Sequence, residues 1–98
     1  MQDELQKIQR WAMHGTVRQA YADMAARLTT EKEYTAELED NTMIFYRVSK
    51  EGGLFGLFGK TVTTPVLKII RKGEEIEIPE EPRDEEFINV LSRLLEAH

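Results

Sequence analysis

Gly59-Lys60-Thr61 is where residue types first suggest chemistry, because a glycine-lysine-threonine run can close a phosphate-binding loop. That loop needs a glycine five positions before the last one, and a helix starting at the lysine so that backbone amides surround phosphate. Here the required position is Leu54 and the nearest glycine, Gly53, comes one place too early. The next residues, Val62-Thr63-Thr64-Pro65, are strand-like, so nucleotide hydrolysis is not expected. Only His14 and His98 could act as a general base near neutral pH. His14 falls in the middle of a helical pattern near Arg10 and Arg18, and His98 is the terminal residue. Ser49 and Ser92 have no histidine at a nucleophile's spacing. With no cysteine, thiolate catalysis, disulfides and cysteine-ligated metal are excluded. The acidic run Glu74, Glu75, Glu77, Glu80, Glu81, Asp84, Glu85 and Glu86 offers oxygen ligands, but lacks the spacing and glycine of a calcium loop and reads as a solvated face. No catalytic residue, metal or cofactor is expected, and no small-molecule substrate is evident.

The same stretch, Gly52 to Thr61, is the centre of the chain for another reason. Four apolar side chains, Leu54, Phe55, Leu57 and Phe58, stand in a frame of glycines closed by Lys60. Three fates are open to them: folding under the sheet to plug the core, docking into a protein partner or a second copy, or shallow insertion at a membrane surface. Contiguous apolar area on a surface usually marks a contact, so these four are the candidate partner-binding residues. The overlapping units Gly53–Gly56 and Gly56–Gly59 resemble nucleoporin repeats. Residues 51–62 also resemble the glycine-phenylalanine hairpin in the amino-terminal domain of Jag-type RNA-binding proteins. That resemblance implies a hairpin-like loop between two strands and no function.

Charge is unevenly laid out around this loop. Residues 1–40 carry five basic and eight acidic side chains, residues 41–72 six and one, residues 73–98 two and nine. The middle third is thus net +5 inside a chain of net −5. An acidic total opposes non-specific nucleic-acid binding but leaves a local basic patch open. Arg47, Lys50, Lys60, Arg71 and Lys72 are its candidate anionic-ligand residues, with Phe45, Tyr46, Phe55 and Phe58 near them for base stacking. Single-stranded nucleic acid or a membrane surface would be the ligand. No apolar run nears the roughly 20 residues of a membrane span, and the polar start MQDELQKIQR lacks a signal-peptide core, so a cytoplasmic protein is expected.

The elements that must position these residues are set by periodicity. Leu5, Ile8, Ala12, Val17, Tyr21, Met24 and Leu28 predict one amphipathic helix over 3–29, with Gly15 as its weak point. Alternation predicts strands over 33–39 and 43–49. A three-residue loop at 40–42, with Asn41 left-handed, would set Leu38 opposite Ile44, Ala36 opposite Tyr46 and Tyr34 opposite Val48, gathering apolar side chains on one face. Strands over 62–72 and 74–78, turning at Lys72-Gly73, would pair Ile69 with Ile76, Leu67 with Ile78, Arg71 with Glu74 and Lys68 with Glu77. Pro65 has no amide to donate and belongs at an edge or bulge. Asp84 should cap a last helix whose stripe is Phe87, Ile88, Leu91, Leu94 and Leu95. Length and order predict a single α+β domain over 1–98: a two-layer, four-stranded antiparallel sheet with the helices on one face, α-β-β-β-β-α. Its expected role is a small non-enzymatic interaction or regulatory module, self-associating or bound to a protein through the 52–60 loop.

Overall fold

The computed structural model describes residues 2–51 and 60–96, with backbone alone at Lys50, Glu51 and Lys60. Leu54, Phe55, Leu57, Phe58 and His98 lie outside the described residues. The elements are α1 (Gln2–Ala12), α2 (Val17–Arg27) with a short 3-10 turn at Leu28–Thr30, β1 (Tyr34–Glu39), β2 (Thr42–Glu51), β3 (Lys60–Lys72), β4 (Glu75–Glu77) and α3 (Glu85–Glu96). The four strands form one antiparallel sheet in the order β1-β2-β3-β4. The three helices pack on one face of it, the expected two-layer α+β arrangement.

The long amino-terminal helix is two helices. Gly15 takes a left-handed φ of 63°, and Thr16 behind it is extended. Thr16 Oγ1 then accepts from Gln19 N at 3.1 Å while Gln19 Oε1 accepts from Thr16 N at 2.8 Å, a reciprocal cap that starts α2. Apolar periodicity runs straight through the break, which is why it hides it. The break lets α1 turn back along α3. Lys7 Nζ donates to Ser92 Oγ at 3.1 Å and to Glu96 there. Asp23 ties the corner, accepting from Trp11 Nε1 at 2.9 Å and Arg27 Nε at 3.0 Å, and Arg27 Nη1 donates to Leu94 O at 2.6 Å.

Both hairpin registers differ from the sequence expectation. β1 and β2 join through Asp40-Asn41, and it is Asp40, φ 55°, that is left-handed. Leu38 therefore faces Met43, Ala36 faces Phe45 and Tyr34 faces Arg47. A one-residue slip exchanges the two faces of a strand. Met43 and Phe45 point into the core and are fully buried, whereas Ile44, Tyr46 and Val48 point away from the helices. β2 is apolar in both phases, so gathering apolar residues could not choose between them. What chooses is α3: the Phe87 ring packs 4.7 Å from Tyr34 and 5.2 Å from Phe45. In the second hairpin the turn is Gly73-Glu74, with Gly73 at φ 62°, pairing Lys72 with Glu75, Arg71 with Ile76 and Ile70 with Glu77. Glycine serves as the first turn residue rather than the second. The shift is two residues, so Leu67 and Ile69 still face inward, both fully buried.

Pro65 sits at a bulge, as its missing amide requires. Phe45 pairs with Leu67 and Tyr46 with Pro65, leaving Val66 as the extra residue. The Val66 carbonyl accepts from Asp84 N at 2.9 Å, which docks the start of α3 on the sheet. Asp84 Oδ1 in turn caps α3, accepting from Glu86 N at 2.8 Å and Phe87 N at 3.2 Å.

Candidate functional site

Two surfaces stand outside the helix–sheet core: the β2–β3 stem and the open face of the sheet. The stem arises because β2 and β3 outrun their neighbours. β1 pairs with β2 only as far as Tyr34↔Arg47, whereas β2 and β3 continue through Val48↔Thr63, Ser49↔Val62, Lys50↔Thr61 and Glu51↔Lys60. Four further pairs at about 3.3 Å per residue carry the ribbon roughly 13 Å past the last β1 pair. β-Branched residues line its β3 side, Thr61-Val62-Thr63-Thr64, which suits an extended two-stranded arm. Residues 52–59, the sequence-predicted contact segment, are joined to the domain at the far end of this stem.

The candidate anionic-ligand residues do not form one patch. Arg47 faces inward over the start of α3. Its Nη2 donates to Tyr34 Oη at 3.2 Å and lies 3.3 Å from both Asp84 Oδ2 and Glu86 Oε2, with the guanidinium carbon 5.6 Å from the Tyr34 ring centroid. The hydrogen bond to Tyr34 first, then the Asp84 and Glu86 charges, raise the Arg47 pKa above its ordinary value. Arg71 Nη1 donates to the Gly15 carbonyl and Nε to the Gly73 carbonyl at 3.3 Å, clamping the α1–α2 corner to the sheet. Lys72 Nζ lies 2.5 Å from Glu77 Oε1, a contact that raises the lysine pKa. Three of the five are thus spent on contacts within the fold, and of Lys50 and Lys60 only the backbone is described.

The acidic run is dispersed in the same way. Asp84 caps a helix, Glu86 meets Arg47 and Glu77 meets Lys72. Among the described residues no group of three His, Asp or Glu side chains is arranged to hold a metal ion. His14 is exposed in the α1–α2 corner, on a cleft of about 320 Å³ shared with Trp11, Gln19 and Asp23. Among the described residues no helix is long and apolar enough to cross a membrane.

The open sheet face is the surface that the expected register concealed. Thr42, Ile44, Tyr46 and Val48 of β2 and Ile70 of β3 lie on it, each only partly buried. An antiparallel sheet facing water on one side ordinarily carries polar residues there. The continuous apolar run Met43–Tyr46 was the available signal, since a strand covered by helices on one face needs apolar residues at every second position only.

Tyr46 has the best-defined chemistry on this face. Its phenol donates to Glu37 Oε2 at 3.2 Å, and partial burial first, then the Glu37 charge, push its pKa above 10. The raised value means that the folded protein holds this proton more tightly than the unfolded chain. Its contribution to stability is therefore complete below pH 10 and is lost as pH rises through the higher folded value. Carbon-13 NMR of the Tyr46 ring should give a midpoint above 10 that falls, without reaching the ordinary value, in Glu37→Gln. A midpoint at or below 10 in the wild type contradicts this geometry.

Compared with protein-family models, with curated proteins and with solved structures, the chain gives no match.

Proposed function

We propose that this protein is a small non-enzymatic interaction module whose contact element is the 52–60 loop, presented to a partner protein or a second copy at the end of the β2–β3 stem. The observation that carries the reading is the stem itself. Strand pairing continues to Glu51↔Lys60, beyond every residue of β1, and the most apolar loop of the chain comes directly after it. Leu54, Phe55, Leu57 and Phe58 are the residues expected to enter an apolar cleft on the partner, with Lys50 and Lys60 at its rim. A cytoplasmic setting accords with the absence of cysteine.

Binding of anionic ligands is the weaker reading, because Arg47, Arg71 and Lys72 already hold partners inside the fold.

Replacing residues 52–59 by Asn-Gly provides the test. A two-residue turn fits the directly opposed Glu51↔Lys60 pair, so the melting temperature should stay within a few degrees of wild type. Cross-linking in an extract of the native cells should give a protein adduct with wild type. The adduct should be missing from the loop replacement and from Leu57→Ser and Phe58→Ser. If either serine substitution unfolds the domain, the loop belongs to the core and the reading fails. If binding to oligonucleotides or anionic vesicles appears instead and falls steeply with salt, the anionic reading takes its place.

A further inference from the structure

The open face of the sheet carries a charge pattern that a second copy of the chain completes. Across one row of it the register places Glu37 of β1, Ile44 of β2 and Lys68 of β3 side by side. Strands about 4.8 Å apart put the Glu37 and Lys68 backbones roughly 10 Å from each other, with Ile44 between them. Among the described residues no ion pair is formed by Lys68 or Glu37, and Glu37 accepts the Tyr46 phenol through Oε2 alone, which leaves Oε1 for a cation. Tyr46 lies in the next row, between Thr35 and Pro65.

We propose that two copies of this protein stack the open faces of their sheets about a two-fold axis lying above β2 and parallel to it, with Glu37 of each copy on Lys68 of the other. Such an axis exchanges left and right across the face and leaves position along the strand unchanged. β1 of one copy then covers β3 of the other, Ile44 meets Ile44, and Tyr46 meets Tyr46. Two sheets packed about 10 Å apart and within about 30° of alignment let the glutamate and lysine side chains meet midway. The two contacts are identical by symmetry, as in any isologous interface. The other in-plane axis, perpendicular to the strands, would stack β1 on β1 and β3 on β3, setting the Glu37 and Glu39 edge of each copy against the same edge of the other. Charge therefore selects one arrangement. The apolar strip Ile44, Tyr46 and Val48 along the axis gives that arrangement its hydrophobic centre. This association is independent of the 52–60 loop.

The test is charge reversal read by light scattering and sedimentation over loadings from about 1 µM to about 1 mM, a range suited to a small interface. Wild type should rise from 11.4 kDa toward twice that mass. Glu37→Lys and Lys68→Glu should each weaken dimerisation more than about tenfold, since each sets two like-charged pairs face to face. The double variant E37K/K68E should restore it. An equimolar mixture of the two single variants should form a mixed dimer, because every contact then pairs opposite charges. Unchanged circular dichroism separates lost association from lost folding, and the mixed dimer itself shows both variants folded. The proposal is overturned if wild type stays at 11.4 kDa throughout, if the single variants dimerise as wild type does, or if neither the double variant nor the mixture recovers the dimer. It is equally overturned if association disappears in the 52–59 replacement, which would assign self-contact to the loop.

Discussion

Phe87→Ala should destabilise the domain by about 3–5 kcal/mol, the range for emptying a fully buried phenylalanine site. The ring has no exposed surface and sits where three elements meet: the first turn of α3, the start of β1 through Tyr34 and the middle of β2 through Phe45. Truncation removes the buried apolar area and leaves a void that rings fixed from both sides cannot collapse into. Against a total stability of roughly 5–15 kcal/mol for an ordinary domain, that leaves a marginal protein. A urea titration reads it as a lower midpoint with an unchanged slope. Ile44→Ala, one residue from Phe45 but on the open face and only partly buried, should cost less than about 1 kcal/mol when both are titrated at low micromolar concentration, where the chain is monomeric. A large loss at Ile44 with a small one at Phe87 would reverse the faces of β2 and contradict the observed register.

Gly15→Ala tests the α1–α2 corner, and its sign separates two descriptions of the same sequence. In a continuous helix over 3–29 alanine would gain about 1 kcal/mol over glycine. At φ 63° it should instead lose about 1–2 kcal/mol, because a left-handed backbone crowds Cβ against the carbonyl. A Cβ built at Gly15 also collides with Gln19 Oε1, so the glutamine must give up its bond to Thr16 N. The combined loss is about 2 kcal/mol, or roughly 8–16 °C in melting temperature for a domain of this size. Thr16→Ala, which removes the other half of the cap, should cost about 1 kcal/mol. A higher melting temperature in Gly15→Ala would mean an unbroken helix.

The cap at Asp84 and the stripe through Phe87, Ile88 and Leu91 were legible in the sequence, because capping and helical spacing are local properties. Pro65 at a bulge was legible for the same reason: a missing amide is a fact about one residue. The Thr16–Gln19 cap was equally readable and was masked by an apolar repeat that crosses Gly15 without interruption. The registers were not legible. Asp40-Asn41 and Gly73-Glu74 each admit a turn displaced by one residue. In the first hairpin the second strand is apolar in both phases, so hydrophobic matching rewards the wrong phase as much as the right one. Of the candidate site, the loop was legible as residue types alone. That Arg47, Arg71 and Lys72 are used up inside the fold was not, since their partners Glu86, Gly15 and Glu77 come from other elements.

The chain by itself determined the α+β class, the antiparallel strands, the capped last helix and the lack of any cysteine chemistry, because each depends on residue type and short-range spacing. Tertiary structure decided which side of β2 is core, where the first helix breaks and what the central basic residues hold. Those outcomes depend on contacts between residues far apart in sequence, above all the Phe87 ring against Phe45 and Tyr34, and such contacts leave no period in the strands that make them.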